Sequence, residues 1–488
     1  MKKRIALVLA ALLLAGSLIG CADVPADPVP TDTKGPNDTP ETGTAPTTDV
    51  PVTDTPAADV PAEMTSAAFW TTDGTVLMTP AEIAAVNETN AEAVCFTGAD
   101  GQPASIRPFE ITDDIPGDTV RAVIREIAFP TDDPVYYHGG EALPREYWDA
   151  IAANCDTDAV PASVKPRYAI AVARTSACCY PTADFFSDDK TDVYYSGNVM
   201  SEIFQGEKLL VLHETADEKW LFVLADTFAG WIPAADVGFC ENRDAWLAAG
   251  DPEKFLVVTG ERIVLDTRPI ADAASGAMFF MGTKLRLLDD AGALYGRASY
   301  GAYTVAIPTR GADGALLWEP ALVPISADVS VGYLPLTPAN VVGEMFKFLG
   351  RIYGWGGSFN SNDCSGTVRQ VMRCFGLELP RNSGDISAMP GLTLGTFADE
   401  TADERLAVLS ALLPGTILYF PGHIMMYLGA VDGTPYVISS CGMYAPPAPA
   451  KLSVETVNCI CITPMTVRRG SGKTWLEAIT RYVSLRAG

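Results

Sequence analysis

Hydrophobic and polar positions divide the chain into segments of different rhythm. Residues 5–14 form a short apolar run directly after the basic residues 2–4. Residues 24–63 then contain nine prolines and nine threonines and almost no large apolar side chain. Because such a segment cannot bury a core, we predict an extended, disordered tether over residues 21–65.

The next hundred residues carry helix-start patterns. Thr79-Pro80 and Pro144-Arg145 each place a capping or proline residue just before a helical apolar pattern. The intervening pattern is mixed. We predict a small, mainly helical segment over residues 66–165 that packs on the rest of the body.

From Tyr168 the pattern changes to short alternating apolar runs separated by turn residues. The runs at 209–212, 220–224 and 230–232 predict a meander of strands, and a similar series extends from 255 to about 333. Two small β-barrels in tandem fit both lengths. We place them at residues 166–250 and 251–335.

The last segment, residues 336–488, contains a candidate nucleophile. Apolar residues at helical spacing, from Val368 to Phe375, follow Cys364. A helix beginning near Cys364 would bury that face and leave the thiol at the end with the positive dipole, which favours the nucleophilic thiolate. The alternative is a buried cysteine that packs as a small hydrophobe. The polar residues on both sides of Cys364 argue against it.

A thiol nucleophile needs a base, and the chain has three histidines. His138 lies far upstream, and His213 follows a predicted barrel strand, where a structural role is expected. His423 stands at the head of an apolar strand in the same segment as Cys364. The pair fits the Cys–His constellation for acyl transfer, in which neutral His423 accepts the thiol proton and the thiolate attacks a carbonyl.

The charge of the chain limits its partners. It has 34 basic and 60 acidic residues and a net charge of −26, which repels phosphate and argues against nucleic acid as a partner. The histidines provide no pair at zinc-ligand spacing, so we expect no metal and no cofactor. We expect a monomer.

The N-terminus predicts export. Its basic start, apolar run and Leu18-Ile19-Gly20-Cys21 resemble the signal and lipobox of bacterial lipoproteins. This implies a signal peptide at residues 1–20 and a lipid on Cys21. The protein would then be held in the cell envelope, at the outer face of the cytoplasmic membrane or in the periplasm. An ordinary secretory signal with an incidental cysteine is the alternative.

Four motifs in the last segment give the chain a family resemblance. They are Tyr353-Gly-Trp-Gly-Gly, Asp363-Cys364-Ser365-Gly366, Leu379-Pro380-Arg381-Asn382-Ser383 and Gly422-His423. In this order they resemble the NlpC-type, papain-like cysteine peptidases of bacterial cell walls. The preceding region resembles the two SH3-like domains of a subgroup that cleaves murein peptides. The resemblance implies an α+β fold, with a papain-like NlpC-type catalytic domain after two SH3-like barrels and the helical segment.

The resemblance also implies roles for individual residues. Cys364 would be the nucleophile and His423 the base, while Tyr353 and the backbone N–H of Cys364 would stabilise the oxyanion. Asp363 would pair with the free α-amine of the peptide. Further cleft residues are implied: Ser365 and Ser383 for the D-glutamate carboxylate, Arg381 for substrate binding, and Trp355 as a wall.

Three positions depart from the family pattern, among them Ile386, which stands where a glutamine often follows the Arg-x-Ser motif. Phe228 stands where the subgroup has a tyrosine before a Gly-Trp pair, which keeps an aromatic wall of the substrate site without a hydroxyl. Ser439 falls near the position of the third catalytic residue, usually His, Asn or Gln. We expect Ser439 to accept a hydrogen bond from Nδ1 of His423.

The function implied is hydrolysis of the γ-D-glutamyl–diamino acid bond of murein stem peptides that have a free N-terminal L-Ala. Two alternatives use the same residues differently. The protein could be a catalytically weak lipoprotein that binds peptidoglycan, or an acyltransferase with the same Cys–His dyad. Because both Cys364 and His423 are present, the peptidase interpretation is favoured over the first alternative.

Overall fold

The computed structural model describes residues 60–90, 94–130, 135–225, 228–268, 272–290 and 292–488. The predicted signal peptide, Cys21 and most of the predicted tether lie outside these residues. Residues 60–65 belong to the folded body, because Met64 is buried and its carbonyl accepts a 2.8 Å hydrogen bond from the Trp70 indole. Residues 60–65 thus lie in the folded body and not in the tether predicted over residues 21–65, and the rest of that tether stays a prediction.

The N-terminal unit alternates helices with short strand pairs. Its helices are α1 (Ala67–Trp70), α2 (Pro80–Thr89), α3 (Gly117–Arg125) and α4 (Arg145–Asn154). Its strands are β1 (Val94–Thr97), β2 (Pro103–Ile106), β3 (Ile115–Pro116), β4 (Tyr137–His138), β5 (Glu141–Ala142) and β6 (Ser163–Val164). They pair as β1–β2, β3–β6 and β4–β5. Helix α2 begins with a capping box between Thr79 and Glu82, as the sequence predicts. The unit contains more strand than the helical prediction suggests.

The first barrel is an antiparallel sheet followed by a helix. Its elements are β7 (Arg167–Ala171), β8 (Thr175–Cys178), β9 (Val199–Ile203), β10 (Lys208–Glu214), β11 (Trp220–Leu224), β12 (Ala229–Pro233), β13 (Val237–Phe239) and α5 (Arg243–Gly250). The strand order is β13-β7-β10-β11-β12-β8-β9. Alternate residues of β10 and β11, including Leu209 and Val223, fill the barrel interior.

A second β unit follows directly. It contains β14 (Phe255–Val258), β15 (Arg262–Val264), β16 (Met278–Phe280), β17 (Lys284–Leu287), β18 (Ala293–Leu294), β19 (Arg297–Ala298), β20 (Ala302–Arg310), β21 (Leu316–Pro324) and β22 (Val329–Val331). Five strands form one sheet in the order β21-β20-β17-β14-β22, and β15–β16 and β18–β19 form separate hairpins. The strand runs expected between 255 and 333 are therefore present.

The C-terminal unit packs helices on a six-stranded antiparallel sheet. Its elements are α6 (Pro338–Phe346), α7 (Cys364–Arg373), α8 (Ser383–Ile386), β23 (Leu392–Thr396), α9 (Ala402–Ser410), β24 (Ile417–Phe420), β25 (His423–Val431), β26 (Thr434–Tyr444), β27 (Glu455–Pro464), α10 (Trp475–Ala478) and β28 (Arg481–Ala487). The strand order is β23-β28-β24-β25-β26-β27. Over the described ranges, no helix has both the length and the hydropathy needed to cross a bilayer.

Candidate active site

Helix α7 presents Cys364 as its first residue. The Asp363 carboxylate caps the helix by accepting a 2.8 Å hydrogen bond from the Gly366 N–H. Val368 and Val371 are buried and share one core with Ile424 of β25, so the helix packs against the strand that begins at His423. The predicted helix and its inward face are therefore present. Cys364 is 4% exposed and His423 is 5% exposed, so each shows only a small part of its surface to solvent.

The His423 ring is held by a serine and two aromatic rings. Its Nε2 lies 3.0 Å from Oγ of Ser439, on the neighbouring strand β26. The Phe420 and Trp475 ring centres lie 5.5 and 5.2 Å from the ring centre of His423. The structure thus brings Ser439 to His423 as expected, but at Nε2 and not at Nδ1. When Nε2–H donates to Ser439, Nδ1 is the nitrogen that can accept the thiol proton.

The other two histidines have structural partners. Nδ1 of His138 lies 2.6 Å from the carbonyl oxygen of Phe185, and Nε2 of His213 lies 2.9 Å from that of Cys155. Both contacts are with backbone carbonyls in the N-terminal unit and the first barrel. His423 is therefore the histidine that shares a domain with Cys364.

Asp363 and Arg381 form a buried clamp next to Cys364, the predicted nucleophile. Nη2 and Nη1 of Arg381 donate to the two Asp363 carboxylate oxygens at 2.5 and 3.2 Å. Nη1 also donates to Ser365 Oγ at 2.9 Å, and Nε donates to Ser201 Oγ of the first barrel at 2.8 Å. Burial alone would raise the pKa of Asp363, but Arg381 and the backbone N–H groups of Gly366 and Gly356 hold it below its usual value.

This clamp contains three residues that are predicted to contact the substrate. Asp363 is predicted to bind the substrate amine, Ser365 its carboxylate, and Arg381 the substrate. In the structure their polar groups bind one another, and all three side chains are buried. The network fixes the start of α7, and the three substrate contacts stay predictions.

Tyr353 and Trp355 lie in the segment that leads to Cys364. Tyr353 is fully buried, and its N–H donates to the Asn458 carbonyl at 2.8 Å. Tyr195, from the segment between β8 and β9, packs its ring centre 5.4 Å from that of Tyr353 and 5.6 Å from that of Trp355. The sequence contains no motif around Tyr195, and sequence reasoning did not find it.

Comparison with protein families decides the assignment of this region. The model of the NlpC/P60 family matches residues 350–438, which include Cys364 and His423. Residues 350–438 belong to the NlpC/P60 family. A second model, that of an SH3 domain of the SH3b1 type, matches residues 185–233 in the first barrel. Comparison with curated proteins gave no match.

One solved structure shares the fold of the NlpC/P60 domain and its neighbours, and others resemble parts of the chain more weakly. An NlpC/P60 endopeptidase from Photobacterium damselae subsp. piscicida superposes with a TM-score of 0.62 at 16% identity, covering 85% of this chain and 94% of that chain. An NlpC/P60 family protein from Bacillus cereus ATCC 10987 gives 0.41 at 18%, covering 58% and 81%. A peptidoglycan hydrolase from Mycobacterium tuberculosis gives 0.16 at 23%, covering 27% and 63%. The first of these shows that the multidomain fold is shared.

Glu202 is a second residue of the first barrel that sequence reasoning missed. Its side chain is 2% exposed, and within the described residues neither carboxylate oxygen accepts a hydrogen bond. Its Oε2 lies 3.8 Å from Arg381 Nη2. A Cβ on Gly366 of the NlpC/P60 domain would stand 3.4 Å from its Oε1, so the carboxylate lies beside the first turn of α7. A buried carboxylate with open acceptor sites is a place where a cation gains free energy.

Ser383 and Phe228 are the other two residues that the sequence predicts to bind substrate. Ser383 is the first residue of α8 in the NlpC/P60 domain and is partly exposed. Phe228 packs against the core of the first barrel, and its carbonyl oxygen accepts a 2.9 Å hydrogen bond from the Ala225 N–H. Both roles stay predictions. Within the described ranges, no group of His, Cys, Asp and Glu side chains is arranged to hold a metal.

Proposed function

We propose that this protein is a cell-wall cysteine peptidase that hydrolyses the γ-D-glutamyl–diamino acid bond of murein stem peptides. The observation that carries the proposal is the arrangement of three residues. Cys364 begins a helix that packs on the strand headed by His423, and His423 is hydrogen-bonded to Ser439. A thiol, a base and a residue that orients the base are the parts that nucleophilic acyl transfer needs.

The mechanism follows from these parts. With Nε2–H donated to Ser439, Nδ1 of His423 accepts the Cys364 proton, and the thiolate attacks the γ-carbonyl of D-glutamate. The backbone N–H of Cys364, at the N-terminus of α7, stabilises the oxyanion, with Tyr353 as the second group. The imidazolium then protonates the leaving amine of the diamino acid. Water, deprotonated by His423, hydrolyses the thioester and releases the free thiol.

Glu202 supports a preference for peptides with a free N-terminal L-Ala. Because Arg381 already occupies the Asp363 carboxylate, we assign the substrate ammonium group to Glu202 instead. An ammonium group would supply the hydrogen bonds that the Glu202 oxygens lack and would add positive charge beside a buried negative one. Murein peptides still attached to glycan lack this amine, so the enzyme would act on detached peptides.

The proposed location is the cell envelope. The resemblance of residues 1–21 to a lipoprotein signal supports a lipid anchor at Cys21. The SH3b1-type domain in the first barrel supports contact with peptidoglycan, the material from which stem peptides derive. Under this proposal, the tether lets the folded body reach the wall from the membrane surface.

Digestion of a defined peptide tests the proposal. The purified protein is incubated with L-Ala-γ-D-Glu-diaminopimelate, and the products are read by mass spectrometry. We expect L-Ala-D-Glu and free diaminopimelate from the native protein, no product from Cys364→Ala, and native activity from the matched variant at exposed Cys95, Cys95→Ala. Cleavage by Cys364→Ala would overturn the mechanism. No cleavage by the native protein would favour a binding function, and a new acyl adduct would favour transfer.

A further inference from the structure

The loop before the nucleophile has an unusual backbone. Residues Trp355–Asn360 form a short 3-10 turn interrupted by four positive φ angles: 58° at Gly356, 91° at Gly357, 60° at Phe359 and 52° at Asn360. Phe359 and Asn360 have side chains, for which this region is unfavourable. A conformation of this kind persists only when its surroundings hold it.

One arginine from another domain holds this loop. Arg174, in the turn between β7 and β8, donates from Nη2 to the carbonyls of Gly357 and Ser361 at 2.9 and 3.1 Å. Its Nη1 donates to the Asn360 side-chain oxygen at 3.1 Å. All three hydrogen bonds come from one planar guanidinium group, and their acceptors lie before, within and after the pair of strained residues.

Arg174 is itself fixed from the opposite side. Its guanidinium carbon lies 4.5 Å from the ring centre of Phe280, a buried residue of the second β unit. A Cβ on Gly357 would come within 3.0 Å of Arg174 Nη2 and 2.7 Å of the Glu202 carboxylate, so the loop and the first barrel fit without spare room. Arg174 therefore transmits the position of both β units to the loop.

The loop is coupled to the nucleophile. The Gly356 N–H donates to the Asp363 carboxylate at 3.0 Å, and Asp363 caps the helix that Cys364 begins. Ser361 is followed by Asn362, whose carbonyl accepts a 2.7 Å bond from Ser440, the neighbour of Ser439. A displaced loop would disturb the cap, the thiol and the strand that bears Ser439 together.

We propose that Arg174 is a positioning residue of the active site, which holds residues 355–361 so that Cys364 and the cleft wall at Trp355 have their working geometry. The inference rests on the proposed peptidase function for its kinetic readout. It extends that function because a residue of the first barrel would then hold the loop that precedes the catalytic cysteine. The planar guanidinium group of Arg174 donates to three acceptors at once. A lysine ammonium group carries the same charge but lacks this geometry, so it should not hold the loop in the same way.

The test compares Arg174→Lys, which keeps the charge, with Arg174→Met, which keeps only the stem. Two readouts are taken on the full-length protein: kcat and KM for the tripeptide, and the rate at which iodoacetamide alkylates Cys364, followed by peptide mass spectrometry. Alkylation of exposed Cys95 is the internal standard. The matched controls are Arg167→Lys and Arg167→Met, since Arg167 is paired with Glu214 at 2.8 Å within the first barrel.

We expect both Arg174 variants to lose roughly 10- to 100-fold in kcat, since displacement of a catalytic group by about an ångström has that effect. Alkylation of Cys364 should slow in parallel, Cys95 should be unaffected, and the Arg167 variants should match the native protein. A third variant, Arg174→Ala, leaves space for a free guanidinium ion. Methylguanidinium added to it should restore part of kcat and part of the Cys364 alkylation rate.

Two results would overturn the inference. One is an Arg174→Lys protein with native kcat and native Cys364 alkylation. The other is an Arg174 variant with a lower melting temperature whose kcat and Cys364 alkylation rate are native when normalised to the concentration of reactive thiol. That result would show a purely structural role. If the native protein fails to cleave the tripeptide while Cys364 alkylation still depends on Arg174, the peptidase proposal fails and the positioning role stands.

Discussion

Arg381 and Asp363 meet through two hydrogen bonds, at 2.5 and 3.2 Å, and Asp363 directly precedes Cys364. The same guanidinium reaches Ser201 in the first barrel, so one buried ion pair joins two domains at the start of α7. Polar residues beside a cysteine at a helix start invite a substrate-binding interpretation. In this structure they also hold the helix that carries the thiol.

The clamp predicts a large loss of stability when one partner is removed. Arg381→Met leaves the Asp363 carboxylate buried without its cation, and we expect the free energy of unfolding to fall by about 3–5 kcal/mol. Urea unfolding followed by tryptophan fluorescence measures this change.

The control for the clamp is an exposed pair. Arg107→Met removes the partner of Glu110, where both side chains are more than half exposed, and should change stability by less than about 1 kcal/mol. Adding Asp363→Asn to Arg381→Met should recover part of the loss, because it removes the unpaired charge. Equal effects of Arg381→Met and Arg107→Met would refute the clamp.

The contact between His423 and Ser439 predicts a kinetic effect. Ser439→Ala removes the acceptor that orients the imidazole, and we expect kcat to fall about 10-fold, corresponding to one hydrogen bond of about 1.4 kcal/mol, with little change in KM. Ser439→Asn should retain more activity, since its amide oxygen can accept the same bond. Initial rates of tripeptide hydrolysis over a range of substrate concentrations give kcat and KM for both variants. Ser410→Ala, at the exposed last residue of α9, is the control. A Ser439→Ala protein with native kcat would remove Ser439 from the mechanism.

Glu202 predicts a change in substrate discrimination. Under the proposal that the buried, unpartnered Glu202 carboxylate receives the ammonium group, the enzyme should prefer the tripeptide with a free amine over its N-acetyl form. In Glu202→Gln the negative charge is lost, so kcat/KM for the free-amine peptide should fall by at least about 10-fold while that for the N-acetyl peptide changes little. Competition between the two peptides gives the ratio directly. An unchanged ratio would assign amine recognition elsewhere.

The extent to which sequence predicts this structure depends on the range of the interaction. The helix from Cys364 and the strand from His423 were predictable, because capping residues and apolar periodicity act within about ten residues. The strands of the first barrel at 209–212, 220–224 and 230–232 are likewise present in the structure.

Contacts between domains leave no local pattern in the sequence from which they could be predicted. Tyr195, Glu202 and Arg174 lie in the first barrel and reach the NlpC/P60 domain only after folding, across more than a hundred residues of chain. The pairing of Asp363 with Arg381 has a shorter range, 18 residues within one domain, but the motif around Cys364 shows only an acid beside a cysteine and not the arginine that pairs with it. The choice of Nε2 over Nδ1 on His423 depends on the rotation of one ring, which no sequence pattern encodes.

Glu344 predicts how stability depends on pH. Burial raises its pKa from 4.5 to about 7 and outweighs Lys347, whose ammonium group lies 2.8 Å away. Between these values the folded chain binds a proton that the unfolded chain has released, so the free energy of unfolding should fall as pH rises, by about 3 kcal/mol at most. Glu344→Gln cannot titrate, and its stability relative to the native protein should therefore increase across the same window. Urea unfolding of both proteins at several pH values gives this difference, in which the other titrating groups cancel, and a difference that does not vary with pH would show that Glu344 is charged in the folded state throughout.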